Sequence, residues 1–364
     1  MKKRFIFLFI IAAAAAALVY FYQNKVVQQE ARPDKIPQII DSMTLEEKVG
    51  QMLVVGFWGE DASYAADMIQ TYNVSGVILM KYNMGDRQQL IKLINDMQSI
   101  SKYPLFISAD QEGGLVTKVQ VEGVKEFTAQ SGIKSAEQAY QVAFDRGKEL
   151  KELGFNINFS PMLDYITDKN SFLYSRAFRG SLDDFGEFGK QMVSGYQDAG
   201  ISATVKHFPG HANDSIDSHE NLPAINWTKV EFDENIPQFK KALEADPDLV
   251  MVGHIKYPNI DPDNPASLSP IIIQDILRGQ LNYQGIIITD DMEMGALMEN
   301  YSVKDAAIKA VQAGCDLLLY VSTKENQVKA YKVILEAVRR GEIEEWRIDE
   351  SVRRIFERKF LISN

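Results

Sequence analysis

The sequence predicts a single α/β domain closed into a (β/α)8, or TIM, barrel, preceded by an N-terminal hydrophobic anchor helix. Three observations carry this. Eight short apolar runs recur along the chain: QMLVVGF (51–57), VSGVILM (74–80), PLFISAD (104–110), FNINFSP (155–161), ISATVKHF (201–208), LVMVGHI (249–255), GIIITDD (285–291) and CDLLLY (315–320). Their apolar character is continuous, which suits strands covered on both faces of a parallel sheet. Amphipathic stretches separate them, as parallel crossovers require. The eight units span roughly 270 residues, close to the size of such a barrel. An open doubly wound sheet is the structural alternative, but eight strands in a row are less common there.

The elements follow in order. Lys2, Lys3 and Arg4 precede an unbroken apolar run over residues 5–22, FIFLFIIAAAAAALVYFY. That is close to the roughly 20 residues that span a bilayer. Cleavage within the Ala run would leave a strongly apolar LVYFY terminus, so an uncleaved anchor is favoured over a cleaved signal peptide. Basic residues before the run favour an inside N-terminus, so the domain is expected to be extracytoplasmic, anchored through residues 5–22 or secreted. The expected division is 1–25 signal anchor or signal peptide, 26–40 connector and 41–364 barrel domain. Thr44 with Glu47 three residues on reads as a capping box. Ser181 and Asp184 open a helix whose Phe185, Phe188, Met192 and Tyr196 share one face, with Gly200 as its stop. Ser302, Asp305 and Gly314 repeat that pattern before the eighth run. In the tail, Ile348, Val352 and Ile355 mark a last amphipathic helix.

Composition narrows the function. Hydrophobic residues at 46% and charged residues at 24% indicate a packed core. A net charge of −11 is a poor footprint for nucleic acid, and none is expected as a partner. The one cysteine, Cys315, excludes an internal disulfide. It lies in an apolar run and is expected to be a buried packing thiol.

A barrel of this kind places its chemistry at the C-terminal ends of its strands. There the third run ends in Asp110, the fifth in Lys206 and His207, the sixth in His254, and the seventh in Asp290 and Asp291. All four histidines, His207, His211, His219 and His254, fall at or just after strand ends. The segment KHFPGHANDSIDSHENLP (206–223) allows two readings. One is a metal site from His207, His211, Asp217 and His219, but this is not a known zinc spacing, and Pro209 and Gly210 prevent a helix from aligning His207 with His211. The other is an acid/base loop, in which Asp217 fixes the tautomer of His219. Asp290 then has the setting of a nucleophile that could form a covalent glycosyl-enzyme. Asp291 reads as a strand-end hydrogen-bond acceptor outside the catalytic set.

These residues resemble the β-N-acetylglucosaminidases of glycoside hydrolase family 3, the bacterial NagZ type, over roughly 40–360. The resemblance rests on KHFPGH…DSH…LP at 206–223, with DQEGG at 110–114, SRAF at 175–178, VMVGHIKYP at 251–258, PASLSP at 265–270 and TDDMEMGA at 289–296. It implies a TIM barrel without metal or organic cofactor. It implies Asp290 as nucleophile, His219 as acid/base and Asp217 as its partner. Asp110, Arg176, Lys206 and His207 match positions that hold the sugar, and Lys118 falls where many members carry a ligand-contacting Arg. His211 and His254 are expected to orient the loop or line the pocket. Leu115, Lys118 and Ala212 depart from the commoner Arg, Arg and Gly. The implied activity is release of terminal β-linked N-acetylglucosamine from cell-wall oligosaccharide, by a monomer. A β-glucosidase-like hydrolase, a non-catalytic wall-binding protein on a degenerate barrel and a metal-dependent barrel hydrolase are the alternatives.

Overall fold

The computed structural model describes residues 35–213 and 217–362. The anchor expected over residues 5–22 lies outside the described residues. Among those described, no helix is long and apolar enough to cross a membrane.

Among the described residues ten strands are formed: β1 (Leu53–Val55), β2 (Gly76–Ile78), β3 (Phe106–Ala109), β4 (Gln111–Gly113), β5 (Val116–Thr117), β6 (Ile157–Asn158), β7 (Ser202–Phe208), β8 (Leu249–Val252), β9 (Ile286–Asp291) and β10 (Leu317–Tyr320). Eight close into a barrel in the order β1-β10-β9-β8-β7-β6-β3-β2. These eight coincide with the eight apolar runs. Every described barrel pairing is parallel. Residues such as Leu53, Val77, Ile107, Val250 and Ile287 are fully buried whichever face they point to. Strands β4 and β5 form a small antiparallel hairpin above β3.

The main helices are α1 (Ile36–Ser42), α2 (Leu45–Gly50), α3 (Arg87–Ile100), α4 (Ala136–Leu153), α5 (Leu182–Asp198), α6 (Val303–Ala313), α7 (Lys324–Arg339) and α8 (Glu345–Ile362). Their starts follow the expected caps. Thr44 and Glu47 close a reciprocal capping box on α2, and Ser181 and Asp184 do so on α5. The Ser302 side chain accepts from the Asp305 N–H at α6. The apolar faces of α5 and α8 are buried as their spacing requires. Helix α1 takes in the end of the expected connector. Ile36 and Ile40, one turn apart, are both buried, and Pro37 sits in the first turn, where its missing N–H costs nothing.

Two register shifts position the site. Val205 pairs with Val250 and Phe208 with Val252, so β7 carries one extra residue at Lys206–His207. Leu317 pairs with Ile288 and Leu319 with Asp291, so β9 carries one extra residue just before Asp291. Along a regular strand, neighbours point to opposite faces. A bulge breaks that alternation and re-aims side chains. Here Lys206 and His207 both face the barrel mouth, as do Asp290 and Asp291.

At the opposite end, Asp316 ties the barrel to its outer helices. It is fully buried just before β10. It accepts hydrogen bonds from the Ile287 N–H (2.9 Å), Arg278 (2.7 Å), Ser351 (2.7 Å) and Arg354 (3.0 Å). Burial pushes its carboxyl pKa up, but Arg278, Arg347 and Arg354 outweigh that and hold it below the ordinary value of 3.8. Its stabilisation is therefore complete above 3.8 and is lost as pH falls through the folded value. Asp316→Asn removes the buried anion shared by Arg278, Arg347 and Arg354, leaving only the half-exposed Glu350 beside the last two, and is expected to cost about 3–5 kcal/mol at neutral pH. Thermal melts should show a large drop at pH 7 that narrows on acidification. Equal melting temperatures at neutral pH would rule this role out.

Candidate active site

A cleft of about 350 Å³ opens at the C-terminal mouth of the barrel. Asp110, Lys118, Arg176, Lys206, His207, His211, His219 and Asp290 all line it. They come from the ends of β7 and β9 and from segments after β3, β6 and β7, up to 180 positions apart in sequence, and converge because closure brings the strand ends together.

One wall is a buried ion network. Glu112, the third residue of DQEGG, accepts two bonds from Arg176, from Nε at 3.0 Å and Nη2 at 2.8 Å. Lys206 Nζ lies 2.6 Å from Glu112 Oε1 and 2.7 Å from Asp110 Oδ1. Burial pushes the Glu112 pKa up, but Arg176 and Lys206 outweigh it and hold it well below the carboxylate range. Burial pushes Lys206 down, and Asp110 and Glu112 reverse that. Glu112, Lys206 and Arg176 are thus held in their charged forms, and the network orients Asp110 and Arg176 toward the cleft. The hairpin carrying Glu112 is fixed from behind. Arg146 donates to the Glu112 carbonyl at 2.8 Å and to the Thr128 carbonyl at 2.7 Å. Gly113 has φ +87°, and a Cβ there would lie 2.1 Å from the Thr128 oxygen, so this position requires glycine.

On the floor, Asp290 Oδ2 lies 3.9 Å from His207 Nε2, and Oδ1 accepts from the Asp291 N–H at 2.8 Å. Burial pushes the Asp290 carboxyl up, but His207, the Asp291 N–H and Lys206 are among the groups that outweigh it and set it at about 2. It is an ionised carboxylate with acceptor capacity to spare. Asp291 differs. It accepts from the Glu293 and Val321 N–H groups at 3.1 and 3.2 Å, as expected of a strand-end acceptor. Burial pushes its pKa up to about 7. Below that value it is largely neutral and does not repel Asp290. Buried His254 does not line the cleft. Its Nε2 sits 2.9 Å from the Asp291 carbonyl and its Nδ1 2.7 Å from Ser267 Oγ. The carbonyl can only accept, so Nε2 carries the proton, Ser267 donates to Nδ1, and the ring pins the backbone beside Asp290.

Asp164 organises the two histidines of KHFPGH. Its Oδ2 lies 2.7 Å from His207 Nδ1, and its Oδ1 accepts the His211 N–H at 2.6 Å. Burial drives the His211 pKa down to about 4, so this ring is neutral at ordinary pH. Ligand atoms of Asp164, His207 and His211 lie within 4.8 Å of one another, close enough for one ion. Both Asp164 oxygens are already taken, however, and Asp217 and His219 of the sequence-derived metal set lie outside this group. The arrangement fits imidazole orientation rather than a prebuilt metal cage. Pro209 and Gly210 do interrupt any helix, yet the His207 and His211 rings still approach to 5.6 Å, because Asp164 gathers them.

The Asp217–His219 turn stands at the rim. Asp217 Oδ1 lies 2.6 Å from His219 Nδ1 and accepts the His219 N–H at 2.9 Å. Burial pushes the Asp217 pKa up, and the bonds from His219 more than reverse it. The His219 side chain is 62% exposed, with its Nε2 edge left to act. Phe172 meets the rings of both His211 and His219 edge-on. The turn is docked to the segment after β9. The Gly295 N–H donates to the His219 carbonyl at 3.0 Å, and the Ala296 N–H to that of Ser218 at 3.3 Å. A Cβ at Gly295 would lie 2.4 Å from the Glu220 oxygen and 2.7 Å from that of His219. The glycine of TDDMEMGA therefore permits the approach of the His219 turn to the Asp290 segment.

Three contributors escaped the sequence reading. Glu112 lies inside the DQEGG motif, but only Asp110 stands at the end of the apolar run. Asp164 follows a run with no ionisable end and is identified only by its long-range partners. Gly295 has an ordinary φ, so its need for a missing side chain appears only in three dimensions.

Comparison with known proteins agrees with this geometry. Residues 44–357 match the Glycosyl hydrolase family 3 N terminal domain. The Beta-hexosaminidase of Xylella fastidiosa (strain 9a5c) is 31% identical over 279 residues, covering 74% of this chain and 82% of that one. Beta-hexosaminidase A of Pseudoalteromonas piscicida is 32% identical over 70% of this chain, which spans 47% of its length. The glycoside hydrolase family 3 beta-N-acetylglucosaminidase structure from Paenibacillus sp. str. FPU-7 superposes with a TM-score of 0.84 at 37% identity, over 89% of this chain and 64% of that one. With its barrel, its strand-end carboxylates and its match over residues 44–357, this chain belongs to glycosyl hydrolase family 3.

Proposed function

We propose that the chain is an exo-acting retaining β-N-acetylhexosaminidase that releases terminal β-linked N-acetylglucosamine. Its substrate would be peptidoglycan or its fragments, met outside the membrane to which residues 5–22 anchor the domain. The observation that carries this reading is Asp290, half-buried yet held ionised on the floor of a cleft whose rim bears the Asp217–His219 pair. The beta-hexosaminidase name of relatives at 31–32% identity supports the sugar class.

In the reading proposed, the terminal sugar sits on Asp290, with Asp110, Lys118, Arg176, Lys206 and His207 holding its hydroxyls and N-acetyl group. An Asp290 oxygen attacks the anomeric carbon while the bond to the leaving oxygen breaks. His219 gives that oxygen its proton, and Asp217 steadies the imidazolium in the opposite sense, by binding Nδ1–H. Water then attacks the same carbon, its proton passes to His219, and the bond to Asp290 breaks. Two displacements retain the β configuration.

Asp290→Ala is expected to lower turnover by more than about 10⁴-fold. Added azide should then restore it and give the α-glycosyl azide, because the nucleophile's face is vacant. A β-azide product would exclude Asp290 as nucleophile. His219→Ala should cost about 10²–10⁴-fold on a poor leaving group such as an alkyl glycoside, and far less on a dinitrophenyl glycoside. Equal losses on both would remove His219 from the acid role.

Gly295→Ala pushes the His219 turn outward while leaving Asp290 in place. A displacement of this kind costs up to about 100-fold. The loss should again be concentrated on poor leaving groups, with melting temperature nearly unchanged. A uniform loss on all substrates would show that the sugar pocket itself was disturbed.

A further inference from the structure

We propose that Trp58 and Tyr82, stacked at the cleft mouth, form a platform for a sugar ring of the leaving oligosaccharide. The inference rests on the hydrolase reading above and adds a specificity-determining subsite to it. The two rings lie 3.9 Å apart between centroids and 15° from parallel. Trp58 follows β1 and Tyr82 follows β2, so both stand at the C-terminal end of the barrel. In the circular strand order, β1 lies opposite β7, so the pair faces Lys206 and His207 across the mouth.

Three features separate this pair from ordinary surface aromatics. First, Trp58 is 61% exposed although it is already stacked, so one large apolar face is left to solvent at an energetic cost. Second, the pair is joined to the cleft. Trp58 Nε1–H donates to the Ser322 carbonyl at 3.3 Å, and Ser322, Val321 and Met80 line the cleft. The Ser322 N–H is held by Glu293 at 2.6 Å, and the Val321 N–H by Asp291, which fixes this edge to the segment bearing Asp290. Third, the pair is rigid. Buried Asn83 donates to the Phe57 carbonyl at 2.9 Å and the Gly59 carbonyl at 2.7 Å, bracketing Trp58 from the β2 side, and accepts the Met80 N–H at 2.8 Å. A preorganised aromatic face loses little entropy on binding.

The occupant follows from cleft geometry. With the terminal sugar on the floor against Asp290, anything reaching the mouth belongs to the leaving portion. A pyranose presents an apolar C–H face that stacks on an aromatic ring, and its hydroxyls stay in water at this open rim. The platform thus favours an oligosaccharide aglycone over a small one.

The test compares wild type, Trp58→Ala and Trp58→Phe on two substrates. One is β-N-acetylglucosaminyl fluoride, which has no second sugar. The other is the β-1,4-linked trisaccharide of N-acetylglucosamine. In Trp58→Ala, kcat/KM for the trisaccharide should fall about tenfold more than for the fluoride, and Trp58→Phe should recover most of it. The trisaccharide should also perturb tryptophan emission in Asp290→Ala, and not in Asp290→Ala/Trp58→Phe. Equal effects on both substrates, or fluoride hydrolysis without trisaccharide turnover in any form, would overturn the platform. A wild type inactive on the fluoride would instead overturn the hydrolase reading on which it rests.

Discussion

Closure of the parallel sheet on itself, completed by β1 against β10, is the constraint on which the remaining structure depends. A closed sheet has no edge to satisfy, so its interior can be filled with Val, Ile and Leu without exposing unpaired backbone. That interior tolerates no unpaired charge. Ionisable groups are therefore driven to the two ends. At one end, Asp316 meets its arginines and serves stability. At the other, the strand ends of β3, β7 and β9 bring carboxylates, amines and imidazoles into one cleft. The register shifts in β7 and β9 turn two consecutive residues inward at both places where chemistry is concentrated.

The charges at the mouth are unequal in their freedom. Glu112 is saturated by Arg176 and Lys206, and Asp164 by His207 and the His211 backbone. Asp291 is bonded to two N–H groups and is pushed toward neutrality. Asp290 alone among these four is held ionised while its nearest basic side-chain nitrogen, His207 Nε2, lies as far as 3.9 Å away. Its neighbours are arranged so that one carboxylate is stable as an anion while facing the open cleft. A buried anion normally purchases stability with strong pairing, which would blunt its nucleophilicity. Here the surrounding field is shared among several partners, each of them held by a further bond.

The barrel was legible in the sequence because its signals are local. A strand covered on both faces writes itself as a continuous apolar run, and Thr44–Glu47 or Ser181–Asp184 encode helix starts within a single turn. The residues facing the cleft were legible by the same logic, since Asp110, Lys206, His207 and Asp290 terminate apolar runs. Glu112, Asp164 and Gly295 were not, because their roles are defined by partners 40 to 100 positions away or by a neighbouring backbone. The Trp58–Tyr82 pair is of the same kind. Each aromatic is unremarked in its own segment, and only the adjacency of β1 and β2 stacks them.

Cys315, the only cysteine in the chain, is fully buried, and burial pushes its thiol pKa up to about 12. A thiol so protonated and enclosed does not react with maleimides or alkylating reagents. The protein is thus a blank background for site-directed labelling. A single cysteine introduced at exposed Asn221, beside the His219 turn, would carry a spin label or fluorophore without competition. The native thiol need not be removed first. The position of the turn could then be followed spectroscopically, with and without sugar, in a protein otherwise unaltered.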